Sequence, residues 1–217
     1  MRKLLILSVF AALSITACKK KDAPVSTLYT YSTPTIIISG DQYYSIPVGG
    51  ALPTITASAY DSFYLESAPV IMDQSTLDNT TPGLYVVTAT SRNKYGMQST
   101  KSVYVAVTDI PATVDVSGTY NRTSNGVEVH VTKLANGLYL TDNVGGVDPS
   151  VPENAQFIIP AYFVQTSATE IVLPAQPTSA GTLSGTSAAI DMTTPVTYQY
   201  AIENASFGKA VRTFVKQ

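Results

Sequence analysis

Leu84-Tyr85-Val86-Val87-Thr88-Ala89-Thr90, the turn residues Asn93-Lys94-Tyr95-Gly96, and the return Ser102-Val103-Tyr104-Val105-Ala106-Val107 decide how this chain folds. Successive side chains of an extended strand point to opposite faces, so an apolar residue at every second position marks a strand with one buried face. Val103, Val105 and Val107 share such a face. Two alternating runs joined by a short Asn- and Gly-containing turn predict an antiparallel hairpin. The same period recurs through most of the sequence, with Gly, Pro, Asn and Asp interrupting at short intervals, and helical spacing is hard to find. The predicted fold class is all-β.

Working back from the hairpin, Asp78-Asn79-Thr80-Thr81-Pro82-Gly83 leads directly into Leu84-Tyr85. This entry resembles that of strand F in immunoglobulin-like domains, where Pro-Gly turns the chain and a tyrosine hydroxyl bonds back to upstream backbone. Tyr85 stands where that tyrosine would be. Val87 follows two residues later, where antibody domains carry a cysteine, so packing alone must hold this copy. Further upstream lie Thr35-Ile36-Ile37-Ile38-Ser39, Tyr43-Tyr44, a Gly49-Gly50 turn and Thr54 to Ala59. Residues 34–109 resemble the immunoglobulin-like repeats of Bacteroidetes surface proteins, which implies a β-sandwich and no particular function.

Downstream, Thr108-Asp109-Ile110-Pro111-Ala112 reads as a short linker, its proline disfavouring continued strand pairing. A second antiparallel β domain is expected over 113–217. It opens with Val116 to Arg122, turns at Asn125-Gly126, alternates from Val127 to Leu134, and turns again at Asn136-Gly137 into Leu138-Tyr139-Leu140. Further strand candidates are Phe157 to Val164, Glu170 to Leu173, Ala188 to Met192, Val196 to Ile202 and Val211 to Val215. The pattern fits a meander, either two packed sheets or a barrel.

The segment Ser117-Gly118-Thr119-Tyr120-Asn121-Arg122, with Asn136 to Asp142 and Gly145-Gly146, resembles the C-terminal domain of the two-domain lipoproteins called BT_2262-like. Leader, immunoglobulin-like repeat and this domain stand in that family's order. The resemblance implies an outer-membrane lipoprotein of gut Bacteroidetes, with no established chemistry and no functional residues to transfer.

At the N-terminus, Arg2 and Lys3 precede an apolar run from Leu4 to Ile15, and Ile15-Thr16-Ala17-Cys18 follows. A charged start, a short apolar stretch and small residues before a cut describe a signal peptide, over 1–17, and not a membrane helix. The last four residues resemble the bacterial lipobox, which implies cleavage before Cys18 and acylation of its thiol. Several acyl chains bury many methylenes at about 0.8 kcal/mol each and hold firmly, where a single chain binds reversibly. Lys19, Lys20 and Lys21 follow at once, and 18–33 reads as a lipidated stem. The expected address is the outer membrane, lipid-anchored, with the body facing solvent.

Cys18 is the only cysteine, so no disulfide braces the expected 200-residue mature body. Setting aside Arg2 and Lys3, 11 of the 13 basic residues remain against 15 acidic ones, a net charge of about −4. The only basic cluster lies beside the lipidated cysteine, which argues against a nucleic-acid partner.

Catalytic readings lack parts. His130 is the only histidine, alternating with Glu128 and Thr132 on what reads as an exposed strand face. No Gly-x-Ser-x-Gly elbow flanks a serine, and zinc would find one imidazole and one acylated thiol. Paired acids for glycoside hydrolysis need a deep cleft. Asp142, Asp148 and Glu153, with Asn143 and Asn154 between, offer hard oxygens for calcium, although turns favour the same residues. No cofactor is expected.

Tyrosine stacks an apolar ring on a sugar face while its hydroxyl hydrogen-bonds. Tyr43, Tyr44, Tyr60, Phe63, Tyr64 and Tyr95 are the candidates in the first domain. Tyr139, Tyr162 and Phe163, near the Gly145 to Glu153 loop, are those in the second. The reading that follows is a non-catalytic surface lipoprotein binding a glycan or a partner protein for nutrient uptake or adhesion. The alternatives are a structural spacer or assembly subunit, and a hydrolase working near His130.

Overall fold

The computed structural model describes residues 32–217; the expected leader, Cys18 and most of the expected stem lie outside them. The described chain is built from strands, with one short helix, and none of it forms a helix long and apolar enough to cross a membrane. Ser32 to Gln217 form one compact unit.

The first part contains β1 (Thr35–Ser39), β2 (Tyr43–Ile46), β3 (Thr56–Asp61), β4 (Glu66–Ala68), β5 (Val70–Asp73), β6 (Gly83–Arg92) and β7 (Gln98–Val107). Two sheets, ordered β1-β3-β4 and β2-β7-β6-β5, pack face to face as an immunoglobulin-like sandwich. All pairings are antiparallel except β2 with β7. The quoted hairpin pairs throughout its length, from Gly83 against Val107 to Arg92 against Gln98. Val87, Val103, Val105 and Val107 are fully buried between the sheets with Ile46 and Ile55. The Tyr85 hydroxyl donates to the Thr81 carbonyl at 2.8 Å, the tie that the resemblance led us to expect. Strands β4 and β5 occupy a stretch that carries no clear alternation in the sequence.

The second part contains β8 (Gly118–Arg122), β9 (Glu128–Ala135), β10 (Leu138–Thr141), β11 (Ala161–Gln165), β12 (Ile171–Val172), β13 (Gln176–Thr178), β14 (Gly181–Asp191), β15 (Thr197–Glu203) and β16 (Val211–Lys216). They form one antiparallel sheet in the order β12-β11-β10-β9-β8-β16-β15-β14-β13. Its two end strands are neighbours in the chain. The sheet curls until its ends meet, where Gly185 N donates to Leu173 O at 2.8 Å and Ile190 N to Thr169 O at 3.0 Å. This settles the choice between two sheets and a barrel: a single curled, barrel-like sheet.

Pro152–Phe157 form a 3-10 helix where the sequence reading has a loop running into a strand from Phe157. A proline in the first turn is pre-set for helical geometry, and Pro160, with no N–H to donate, delays the strand to Ala161.

Aromatic rings fill the curled sheet. Tyr120, Tyr139, Phe163, Tyr198, Tyr200 and Phe214 are all essentially inaccessible to solvent. Phe163 stacks on Tyr139 at 5.4 Å and on Tyr198 at 5.6 Å, and Tyr198 stacks on Phe214 at 4.8 Å. Buried hydroxyls need partners. Tyr120 donates to Val116 O at 2.6 Å and Tyr200 to Val144 O at 2.9 Å, while Tyr139 accepts from Val116 N at 3.4 Å.

The sandwich and the curled sheet meet through their outer faces. Ala106, Leu138 and Val164 are buried there, with Tyr43, Leu84, Tyr104, Leu134 and Tyr162 packed around them. The expected linker is part of this contact: Thr108 Oγ1 donates to Gln165 O at 2.7 Å and Asn136 Nδ2 to Ile110 O at 2.5 Å. Gly137 has φ +69°, and a Cβ there would lie 2.7 Å from the Thr108 methyl. Only glycine satisfies both the turn and the close approach.

Replacing Phe163 by alanine empties the centre of the ring stack and is expected to cost about 3–5 kcal/mol in urea unfolding. A loss under about 1 kcal/mol would contradict a filled interior.

Candidate ligand-binding groove

Strand β11 alternates Ala161 inward, Tyr162 outward and Phe163 inward, which carries the Tyr162 ring out of the barrel interior toward the sandwich. On the other side Tyr43 and Tyr104 are register partners on β2 and β7, on the face opposite the buried valines. Their rings stack at 5.7 Å. Tyr162 completes the cluster at 4.4 Å from Tyr104 and 6.2 Å from Tyr43. Its hydroxyl lies 3.4 Å from that of Tyr43. Burial, joined by the Tyr43 and Tyr104 hydroxyls, pushes the Tyr162 phenol far above its ordinary value of 10.0, so it stays protonated at any physiological pH.

Beside this cluster runs a groove of about 320 Å³. Its floor is the outer face of the hairpin: Leu84 and Val86 with Tyr104, then the cross-strand hydroxyl pair Thr88 and Ser102. Its wall is Tyr162 and residues 174–177. The Gln176 side chain pins that wall by accepting from Tyr162 N and donating to Tyr162 O, both at 2.9 Å. A second depression of about 380 Å³, lined by Leu140, Ile159, Pro160, Thr178 and Ser179, lies on the far side of Tyr162, Gln176 and Pro177. No charged side chain lines either one. Such a surface offers no proton-transfer pair. It can bind an uncharged ligand with an apolar face and hydrogen-bonding groups.

The structure thus joins Tyr43 and Tyr162, 119 residues apart, and adds Tyr104 and Gln176, which the sequence reading passed over. The signal for Tyr104 was present, since it occupies the face of its strand that the valines leave. Tyr44 packs against the sandwich core, its hydroxyl accepting from Asp41 N at 3.0 Å. Tyr60 is 43% exposed on β3, away from the groove. Tyr139 and Phe163, expected at a pocket edge, are corrected to interior residues with no solvent exposure, because alternation turns them toward the ring stack.

The three acids weighed as a calcium site serve local roles instead. Asp148 accepts from Ser150 N at 2.9 Å and Ser150 Oγ at 2.7 Å, closing its own turn. Glu153 lies in the first turn of the 3-10 helix. Among the described residues no three acids, histidines or cysteines come together to hold a metal. Asp142 instead faces His130, accepting from its backbone N at 2.8 Å, with Oδ2 2.9 Å from ring Nδ1. Glu128 lies 3.3 Å from Nε2, and all three side chains are about half exposed. Both ring nitrogens thus meet carboxylates on an open strand face, and no hydroxyl among the described residues bonds the ring.

Tyr64 and Tyr95 gather at the other end of the sandwich. Tyr64 packs 4.2 Å from Tyr95 and 4.9 Å from Phe63, and Lys94 Nζ lies 5.2 Å from the Tyr95 ring centre while pairing with Glu66 at 2.8 Å. Beneath them sits a fully buried carboxylate, Asp61. It accepts from Asn93 Nδ2 at 2.8 Å, Ser32 Oγ at 2.7 Å, and the Phe63 and Tyr64 amides at 3.1 and 3.2 Å. Burial raises its pKa, but the bonds from Asn93, Ser32, Tyr64 and Phe63 outweigh that and hold it below the ordinary 3.8.

No family model and no curated protein matches the chain. Geometry therefore defines the class: an all-β protein in which a sandwich and a curled sheet share a tyrosine-lined, uncharged groove. Among solved structures the chain is similar to the lipoprotein BT2262 from Bacteroides thetaiotaomicron, at 18% identity and a TM-score of 0.40, over 84% of this chain and 100% of that one.

Two titrations check these local arrangements. A carboxylate held below its unfolded pKa stabilises the fold above that value and stops doing so as pH falls through the folded one. The stability gap between the native chain and Asp61→Asn is therefore expected to be widest at neutral pH and to shrink below about pH 4; a gap that does not move with pH would refute the role given to this carboxylate. The Asp142 carboxylate, and Glu128 more weakly, raise the His130 pKa above its ordinary 6.5. Asp142→Asn is expected to bring it back toward that value in an NMR titration of the imidazole C–H signals.

Proposed function

We propose that this chain is a non-catalytic lipoprotein, held to the outer membrane through acylated Cys18, that binds a neutral glycan in the groove between the sandwich and the curled sheet. The observation that carries this reading is the lining: ring faces, aliphatic groups and paired hydroxyls with no charge among them. Sugar rings present the complementary chemistry, an apolar C–H face bordered by hydroxyls. The groove also lies where two packed parts meet, a favoured place for ligand sites. His130, held by two acids on an open strand, supports a non-catalytic role. In this reading the protein serves a nutrient-uptake or adhesion system as a glycan-capturing accessory.

The test is titration of the purified chain with neutral hexaoses of the cello, xylo, manno and malto series, followed by NMR. Val86→Arg places a charge and bulk on the floor and is expected to weaken binding at least about tenfold. Tyr162→Phe keeps the ring, removes the hydroxyl and is expected to cost about 0.5–1.5 kcal/mol, roughly two- to tenfold. Clean negatives across the neutral series, or a preference for polygalacturonate, would overturn the reading.

A further inference from the structure

The end of the sandwich farthest from the groove exposes a group of large apolar side chains. Phe63 and Leu65, in the turn between β3 and β4, are 60% and 75% exposed, and Tyr95, in the turn of the long hairpin, is 49% exposed. These side chains are held outward by structure. Asp61 fixes the first turn through the Phe63 and Tyr64 amides and the second through Asn93, whose Oδ1 accepts from Tyr95 N at 3.1 Å and Met97 N at 3.0 Å. Leu65 sits at φ +53°, a left-handed conformation that a bulky residue adopts only under strain. A loop under no demand to present leucine would carry Gly or Asn there.

The chain also joins the folded unit at this tip. Ser32 Oγ donates to Asp61 at 2.7 Å, and Ser32 O accepts from Asn93 Nδ2 at 2.9 Å. Cys18 lies 14 residues earlier in the sequence, a tether of at most about 48 Å at full extension. An acylated Cys18 therefore attaches the folded unit by the same end that exposes Phe63, Leu65 and Tyr95.

From this coincidence we infer that the tip seats on the surface of the bilayer that holds the lipid anchor. The inference rests on the anchor in the function proposed above, and is independent of the glycan. Tyrosine settles at the headgroup level, where its ring meets hydrocarbon and its hydroxyl meets water, while phenylalanine and leucine dip into the acyl boundary beside it. The cations ask little of the lipid charge. Lys94 is paired with Glu66, and Arg92 donates to Gln98 Oε1 at 2.7 Å. The seat is apolar and aromatic, and its occupancy should barely change with salt, unlike a polybasic contact.

Because the chain contains no tryptophan, Phe63→Trp introduces a single reporter at the tip, and Val211→Trp a single reporter on the exposed start of β16. The full chain, acylated in the cell and with Cys18 modification read by mass spectrometry, is reconstituted into vesicles of phosphatidylcholine with and without bromine on the acyl chains. Brominated lipid is expected to quench the reporter at position 63 several-fold more than that at 211, equally in 0.05 and 0.5 M salt. Adding Leu65→Asp should abolish that excess while the protein stays with the vesicles. Equal quenching at both positions on an acylated chain would overturn the seat alone. A chain that carries no acyl group on Cys18 would overturn the anchor and the seat with it, and the hexaose titration would still decide the groove.

Discussion

Strands β10 and β11 are buried on both faces, and the rest of the structure depends on that. Leu138 and Tyr139 are neighbours pointing opposite ways, as are Phe163 and Val164, and none of the four is exposed. The inward pair belongs to the ring stack of the curled sheet, and the outward pair makes the contact with the sandwich. A one-residue slip of either strand would exchange the two sets. Register in the curled sheet and docking of the sandwich are therefore a single constraint. It also sets the position of Tyr162, which must face the sandwich because Phe163 faces inward.

With no disulfide within residues 32–217, both parts rely on tyrosine in the same way. Near the start of a strand in each part, a tyrosine hydroxyl reaches back four residues to a carbonyl: Tyr85 to Thr81 and Tyr120 to Val116. The bond ties the incoming loop to the strand while the ring packs against the core. Inside the curled sheet the rings lie close to one another in stacked and edge-on pairs, which add about 0.5–1.5 kcal/mol each beyond burial. The large residues are Tyr and Phe throughout, with no indole to accommodate.

The local part of this design was legible in the sequence. Alternation fixed the hairpin, its buried valines and most later strands, and the Pro-Gly entry singled out Tyr85. What could not be read depended on contacts distant in the chain. Closure of the curled sheet is decided by β12 and β14 meeting, which no short window records. Tyr139 was misplaced because period two separates the faces of a strand without saying which is wet, and here neither is. Tyr43 and Tyr162 were each visible as candidates, but their meeting, and the share of Tyr104 and Gln176 in the groove, follow from docking. Asp142 looked like a metal ligand because turn-formers and oxygen ligands are the same residue types. Its real neighbour, His130, lies across a strand pair.

The hairpin of β6 and β7 carries the exposed aromatic tip at one end and the groove floor near the other. At about 3.3 Å per residue, the eight steps from Leu84 to Arg92 separate them by some 25–30 Å. Paired residue by residue and flanked by β2 and β5, this ribbon is a stiff strut, not a hinge. Whatever the tip rests on, the groove is held at a constant stand-off from it, and its opening stays clear of the support.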